Sequence, residues 1–370
     1  MREYEHGGDI FAEEKKVLDF SVNINPLGMP ESVLEAARKA VEEDISYPDP
    51  FCRKLAAALS RRYGLPAENI VCGNGASDLI LRLCAARKPS GVLVPAPGFS
   101  EYARCAALFG AQVFEYAAGP FCGQQEAGGC ISAGPGEGAL LPVKEALFEY
   151  HPDIVFVCRP NNPDGSLMGL DALRDLAESC RSCGALLAVD ECFLEFTEGT
   201  SALALLDRFS SVAVINAFTK TYALAGIRLG FMFSADTELL DDVYRFGTPW
   251  SVSAVAQAAG IECCENTGFL AGSRRYINRE RKRLVSAAEA RGLKVFPSDA
   301  NFLLIRSAKS PLGASGTAEP QSLRQALSER GIKVRDCRSF TGLDDSYIRI
   351  GVRSEEENDA FIKALEDIYG

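Results

Sequence analysis

Two apolar patterns alternate along the chain. In one, three to seven apolar residues follow one another without interruption; in the other, they recur every three or four positions among charged ones. Continuous runs predict buried strands and the spaced pattern predicts amphipathic helices. Glu31 to Glu43 places Val33, Leu34, Ala37, Ala40 and Val41 at helical spacing behind Pro30. Phe51 to Tyr63 repeats the pattern with Phe51, Leu55, Ala58 and Leu59, and Gly64 supplies a stop. Ile70-Val71-Cys72 then precedes a helix from about Ser77, Gly91 to Pro95 precedes one from Ser100 to Phe109, and Ile154 to Cys158 precedes one from Leu170 to Cys180. Ala185 to Val189 and Val212 to Phe218 continue the strand series. Strands interleaved with helices predict an α/β unit, a mostly parallel sheet sandwiched by helices.

Beyond Trp250 the pattern changes. A charged helix from Gly272 to Arg291 leads to strands near 302–305, 333–335 and 347–352, with helices near 322–330 and 355–368, a smaller C-terminal α+β unit. The expected division is an N-terminal arm and small-domain segment over 1–40, a large domain over 41–250 and a small domain over 251–370. Glycine-rich stretches at 117–138 and 309–319 read as exposed loops.

Composition narrows the possible functions. A chain of 370 residues with 47% apolar and 24% charged residues has the makeup of a folded globular protein. A net charge of −11 speaks against nucleic acid as a partner. No run approaches the roughly 20 apolar residues of a membrane span. Thirteen scattered cysteines with only two histidines favour a reducing cytoplasm and no metal centre. Cys180 and Cys183 read as two cysteines of one helix before they read as a redox pair.

Chemistry concentrates where strands end. Asp190 closes the strand of 185–189, and Lys220 follows the strand of 212–218, so both reach the edge of the sheet where open α/β folds hold ligands. A lone lysine after a strand is ordinarily a surface lysine; its company makes this one different. Gly73-Asn74-Gly75-Ala76-Ser77-Asp78 joins a strand to a helix, offering backbone N–H groups, a helix N-terminus and the Ser77 hydroxyl to an anion, with Arg228 as countercharge. Pro160-Asn161-Asn162-Pro163-Asp164-Gly165 follows another strand; a turn accounts for Asp164-Gly165 but not for the doubled asparagine. Phe99, in Pro-Gly-Phe-Ser-Glu-Tyr, is an aromatic at a strand end, suited equally to stacking on a flat ring or to core packing. A lysine amine, a carboxylate, a stacking ring and a phosphate cradle are what pyridoxal 5′-phosphate (PLP) chemistry requires.

The ordered set Gly-Asn-Gly-Ala-Ser (73–77), Asn-Asn-Pro-x-Gly (161–165), Asp190-Glu191, Thr219-Lys220 and Gly-x-Arg-x-Gly (226–230) resembles the fold type I PLP enzymes of the aspartate aminotransferase family. It is most similar to the branch of threonine-phosphate decarboxylases and histidinol-phosphate aminotransferases, over residues 6 to about 369. The resemblance implies that Lys220 holds PLP as a Schiff base, Asp190 pairs with the pyridine nitrogen, and Asn162 meets the ring oxygen. It further implies that Phe99 stacks, that Ala76, Ser77 and Arg228 hold the phosphate, that Gly75, Phe193 and Thr219 also contact the cofactor, and that Tyr47 reaches a partner subunit's cofactor phosphate in a homodimer. Arg349 would grip the substrate carboxylate, and His6, Asn25 and Arg335 are candidates for a substrate phosphate.

His6-Gly7-Gly8-Asp9, the stretch Asp19 to Gly28 and Thr248 to Ser253 resemble the decarboxylases in particular. Phe193 stands where many aminotransferases carry tyrosine, Ala217 where a hydroxyl residue is common, and Asp164 where threonine is usual. The implied activity is α-decarboxylation of an O-phospho amino acid, threonine phosphate before serine phosphate, giving an amino-alcohol phosphate for cobalamin synthesis. Transamination of histidinol phosphate is the alternative. A non-catalytic PLP-binding module is a third, for which the acidic chain shows no DNA-binding extension.

Overall fold

The computed structural model describes residues 6–10, 17–43, 46–122, 140–307 and 322–370. Its centre is a seven-stranded sheet in the spatial order Ile70–Gly73, Gly230–Ser234, Val212–Ala217, Leu186–Asp190, Ile154–Cys158, Gly91–Ala96 and Gln112–Ala117. All neighbouring pairs are parallel except the two made by Gly230–Ser234, which runs against both of its neighbours. Five strands are buried along their whole length without alternation, the signature of a sheet covered on both faces. One covering layer packs Leu55, Leu59, Val155, Leu187 and Phe231 into a core; the opposite one gathers Leu79, Leu83, Val92, Phe156 and Met232. The expected helices follow, among them Glu31–Glu43, Ala76–Arg87, Glu101–Ala107 and Leu170–Cys183.

A four-stranded antiparallel sheet, in the order Arg335–Asp336, Tyr347–Gly351, Phe302–Arg306 and Lys294–Val295, carries the second unit. Helices Gly268–Glu289 and Glu355–Tyr369 cover it, enclosing a core of Ile277, Leu284, Phe302, Ile348 and Phe361. Ser354 and Glu357 form a reciprocal cap at the start of the last helix, satisfying N–H groups that would otherwise lack partners.

The chain divides less simply in space than in sequence. Leu18–Asp19 pairs in parallel with Ile332–Lys333, which brings the N-terminal segment onto the small unit. Helix Ala254–Glu265, although past Trp250, places Ala256, Ala259, Cys263 and Cys264 in the core of the large unit. The glycine-rich stretches at 117–138 and 309–319 fall almost wholly outside the described residues. No helix among the described residues is long and apolar enough to cross a membrane, and no cluster of metal-ligating groups occurs among them.

Candidate active site

Parallel strands deliver their C-terminal ends to one edge of the large sheet, and a cavity of about 350 Å³ opens there against the small unit. Asp190, the last residue of its strand, and Glu191, the next residue, point to different surroundings. Glu191 turns away and forms a buried ion pair with Arg159 at 2.8 Å. Asp190 turns into the cavity, where its carboxylate accepts from the Tyr102 hydroxyl at 2.7 Å and from the Cys192 backbone N–H at 3.0 Å. Two hydrogen bonds fix the orientation of the group and leave its remaining lone pairs for a ligand.

Lys220 sits in the short helical turn Phe218–Thr221 that ends the neighbouring strand. Its amine faces the cavity while protein surrounds the rest of the side chain, and burial, with Arg349 and Arg228 nearby, pulls its pKa down from 10.5 to about 8. Burial disfavours an ammonium, and like charges add to the effect. Such an amine exchanges protons near neutrality and is a competent nucleophile.

The anion cradle is built on close backbone approach. Gly75 has φ +86°, and a β-carbon there would lie 2.5 Å from Arg228 Nη2; one on Gly230 would lie 2.6 Å from the Gly75 carbonyl carbon. Only glycine permits both. Helix Ala76–Arg87 starts at this point, so Ala76 and Ser77 present its N-terminal end to the cavity beside Arg228. The Arg228 guanidinium is anchored on the Ala225 carbonyl at 3.2 Å. Asp78 supports the cradle from behind, accepting from the Asn74 N–H at 2.8 Å and pairing with Arg82 at 2.6 Å.

Two arginines of the small unit also line the cavity. Arg335 and Arg349 are directly paired across adjacent antiparallel strands, so both point to the same face, and both are buried. Arg349 donates to Asn162 Oδ1 and, at 2.9 Å, to the Ser21 carbonyl; no carboxylate lies within 4 Å of it among the described residues. Burial and the adjacent Arg335 bring its pKa down to about 10. Arg335 donates to Ser339 Oγ at 2.8 Å.

Of the residues singled out in sequence, His6, Ala76, Ser77, Phe99, Asn162, Asp190, Phe193, Thr219, Lys220, Arg228, Arg335 and Arg349 line this one cavity. Gly75 lies immediately behind it. Asn25 does not line it: its side-chain amide donates to the Thr221 carbonyl and to Ser273 Oγ, each at 2.8 Å, and its backbone N–H to the Lys220 carbonyl at 3.0 Å. Asn25 therefore braces the lysine turn and has no amide proton left for a substrate phosphate. Tyr47 is 78% exposed and stacks on Trp250, outside this cavity.

Sequence reasoning passed over Tyr102, Cys192, Asn23 and Glu101. Tyr102 lies three residues beyond Phe99, a spacing that was the available signal, and its ring packs edge-on against Phe99. Glu101 accepts from His6 at 3.0 Å and from Arg104; burial pushes its carboxyl up, but those two partners prevail and hold it at about 2.

A doubly wound sheet with a half-buried lysine, a fixed carboxylate and a glycine-lined anion cradle at its edge defines the class. Residues 15–365 match the aminotransferase class I and II family, and the chain belongs to it. Threonine-phosphate decarboxylase of Salmonella typhimurium is 30% identical over 98% of this chain and 96% of that protein. Histidinol-phosphate aminotransferase 2 of Archaeoglobus fulgidus is likewise 30% identical, over 96% and 94%. The crystal structure of the histidinol-phosphate aminotransferase from Clostridium acetobutylicum is similar with a TM-score of 0.81 at 27% identity, covering 95% of this chain and 98% of that one. The donor set fits PLP: an amine for its aldehyde, a carboxylate for its ring nitrogen, Phe99 for its face, and for its phosphate a cradle that a single β-carbon would fill.

Proposed function

We propose that this is a PLP-dependent lyase that removes the α-carboxylate of an O-phosphorylated hydroxy-amino acid, L-threonine O-3-phosphate first and L-serine O-phosphate second. The carrying observation is the Arg335–Arg349 pair, two buried arginines paired side by side on adjacent strands in the cavity that Lys220 also lines. Arg349 has no carboxylate within 4 Å among the described residues and its buried cation is held at a cost, so a substrate carboxylate would supply its countercharge, with the Arg335 guanidinium beside it for a second anionic group. Guanidinium forks suit either anion.

Bound PLP supplies an electron sink for the bond broken at the substrate's α-carbon. Lys220 would hold its aldehyde carbon, Asp190 its ring nitrogen, Asn162 its ring oxygen, Phe99 its face, and Ala76, Ser77 and Arg228 its phosphate. Arg349 orients the substrate carboxylate, and Arg335 with His6 takes the substrate phosphate. Which bond at the α-carbon is weakened depends on how the substrate is held, so Arg349, by fixing the carboxylate, selects the reaction. Lys220 Nζ, protonated in part near neutrality, returns a proton to the α-carbon. Phe193 packs edge-on against Phe302 and offers an apolar wall where a tyrosine would add a hydrogen bond.

Two further features belong to this reading. Tyr47 and Trp250, with Phe51, Tyr244 and Phe246, form an exposed aromatic group that a second copy of the chain would cover, carrying Tyr47 to the partner's cofactor phosphate. The free cysteines, most of them buried, suit the reducing cytoplasm.

The same cofactor residues serve amino transfer, and the aminotransferase relatives stand at equal identity. Incubation of the PLP-loaded protein with threonine phosphate, without any keto acid, is expected to release CO₂ and an amino-alcohol phosphate. Amino transfer from histidinol phosphate to 2-oxoglutarate with no CO₂ from threonine phosphate would replace this reading by the aminotransferase one.

A further inference from the structure

Lys220 projects from a four-residue turn, and a single helical turn does not hold itself in place. Asn25 braces it from the side of the small unit. On the other side lies Arg62, from the last turn of helix Arg53–Tyr63, its side chain only 7% exposed. Its Nη1 donates to the Tyr222 hydroxyl at 3.1 Å and to the Cys263 carbonyl at 2.9 Å. Its guanidinium carbon lies 5.5 Å from the centre of the Phe218 ring and 5.6 Å from that of Tyr222. Arg62 therefore touches the residues two before and two after the lysine. Nη2 donates to Glu195 at 2.7 Å, and Tyr63 donates to the same carboxylate oxygen at 2.9 Å. Glu195 belongs to the turn Leu194–Phe196, which continues the segment carrying Asp190 and Phe193. A planar fork with one arm on each segment fixes their separation, which a point charge cannot do.

We propose that Arg62 is a positioning residue that sets the Lys220 amine relative to the Asp190 segment. This rests on the assignment of Lys220 as the cofactor-holding lysine. A misplacement of about 1 Å in a reacting group slows its reaction by as much as a hundredfold.

The test compares two ligands of the apoprotein. 4′-Deoxypyridoxine 5′-phosphate carries the ring and phosphate but no aldehyde, so it reports the cradle, Phe99 and Asp190 alone. PLP followed by borohydride reduction reports how fast the lysine is captured. Arg62→Lys and Tyr222→Phe are expected to bind the aldehyde-free ligand within about twofold of wild type and to slow covalent capture about ten- to a hundredfold. Tyr222→Phe keeps the ring and removes only the hydroxyl, so it decides the matter if Arg62→Lys does not fold. Capture at the wild-type rate in a folded variant overturns the proposal. So does a parallel loss of both ligands, which would make Arg62 a support of the fold alone. Lys220→Ala separates the premise from the inference: capture that survives in that variant sinks the assignment of Lys220 itself, whatever Arg62 does.

Discussion

Replacing Lys220 by methionine in the apoprotein should make the protein more stable. The side chain is enclosed by protein apart from its amine at the cavity, and its pKa falls from 10.5 to about 8, first through burial and then through Arg349 and Arg228. At about 1.36 kcal/mol for each factor of ten in acidity, holding this ammonium in the folded state costs roughly 3 kcal/mol. Methionine has similar length and no charge. With an unfolding entropy of about 2.1 cal/mol/K per residue, 370 residues convert 3 kcal/mol into a rise in Tm of about 4 °C. The pH dependence is the sharper readout. Between about pH 8 and 10.5 the unfolded wild-type chain carries more protons than the folded one, so wild-type stability climbs with pH across that window. The variant has no proton to shed and lacks the climb. Its advantage should therefore be full below about pH 8 and gone by about pH 10.5. Thermal unfolding of apo wild type and Lys220→Met, followed by circular dichroism from pH 7 to 10.5, checks this. Equal or lower Tm for the variant at pH 7, or an advantage that does not change with pH, would refute the reasoning. A lysine kept at such a cost is one that chemistry requires.

Arg349→Lys should lower kcat/KM for the phosphorylated amino acid roughly thirtyfold, about 2 kcal/mol, because an ammonium cannot hold Asn162 Oδ1, the Ser21 carbonyl and a bidentate carboxylate together; steady-state kinetics within threefold of wild type would contradict this. Gly75→Ala forces a side chain onto φ +86° and a β-carbon to 2.5 Å from Arg228 Nη2, so the PLP dissociation constant should rise about tenfold or more, measured by fluorescence titration. Glu101, held at about 2 by His6 and Arg104 against burial, stabilises the folded state above about pH 4.5, and that contribution drains away as pH falls toward 2. Glu101→Gln should accordingly flatten the acid limb of a pH-unfolding curve between those values.

What the sequence disclosed was whatever lies close together in it. The strand ending in Asp190, the strand leading to Lys220 and the glycine turn at 73–75 are each contiguous, and each carries its own reason in residue type. The antiparallel strand Gly230–Ser234 went unread because parallel and antiparallel buried strands show the same unbroken apolar run. Gln112–Ala117, at the sheet edge, is exposed or only partly buried over its first four residues and is interrupted by Glu115, so no apolar run announces it. Helix Ala254–Glu265 is apolar on nearly every side, which says that it is buried but not against which unit. Within the site, the contacts that escaped are long-range: Tyr102 meets Asp190 across 88 positions and Asn25 meets Ser273 across 248. Asn25 shows this most clearly, since a residue offered through resemblance as a substrate-phosphate candidate is bonded to the backbone of the lysine turn.

Mass spectrometry of the PLP-treated, borohydride-reduced protein tests the central claim most directly. A phosphopyridoxyl group on the peptide containing Lys220, and none on the corresponding peptide of Lys220→Ala, is the predicted result. A label distributed over surface lysines, or one that persists when Lys220 is gone, would contradict it.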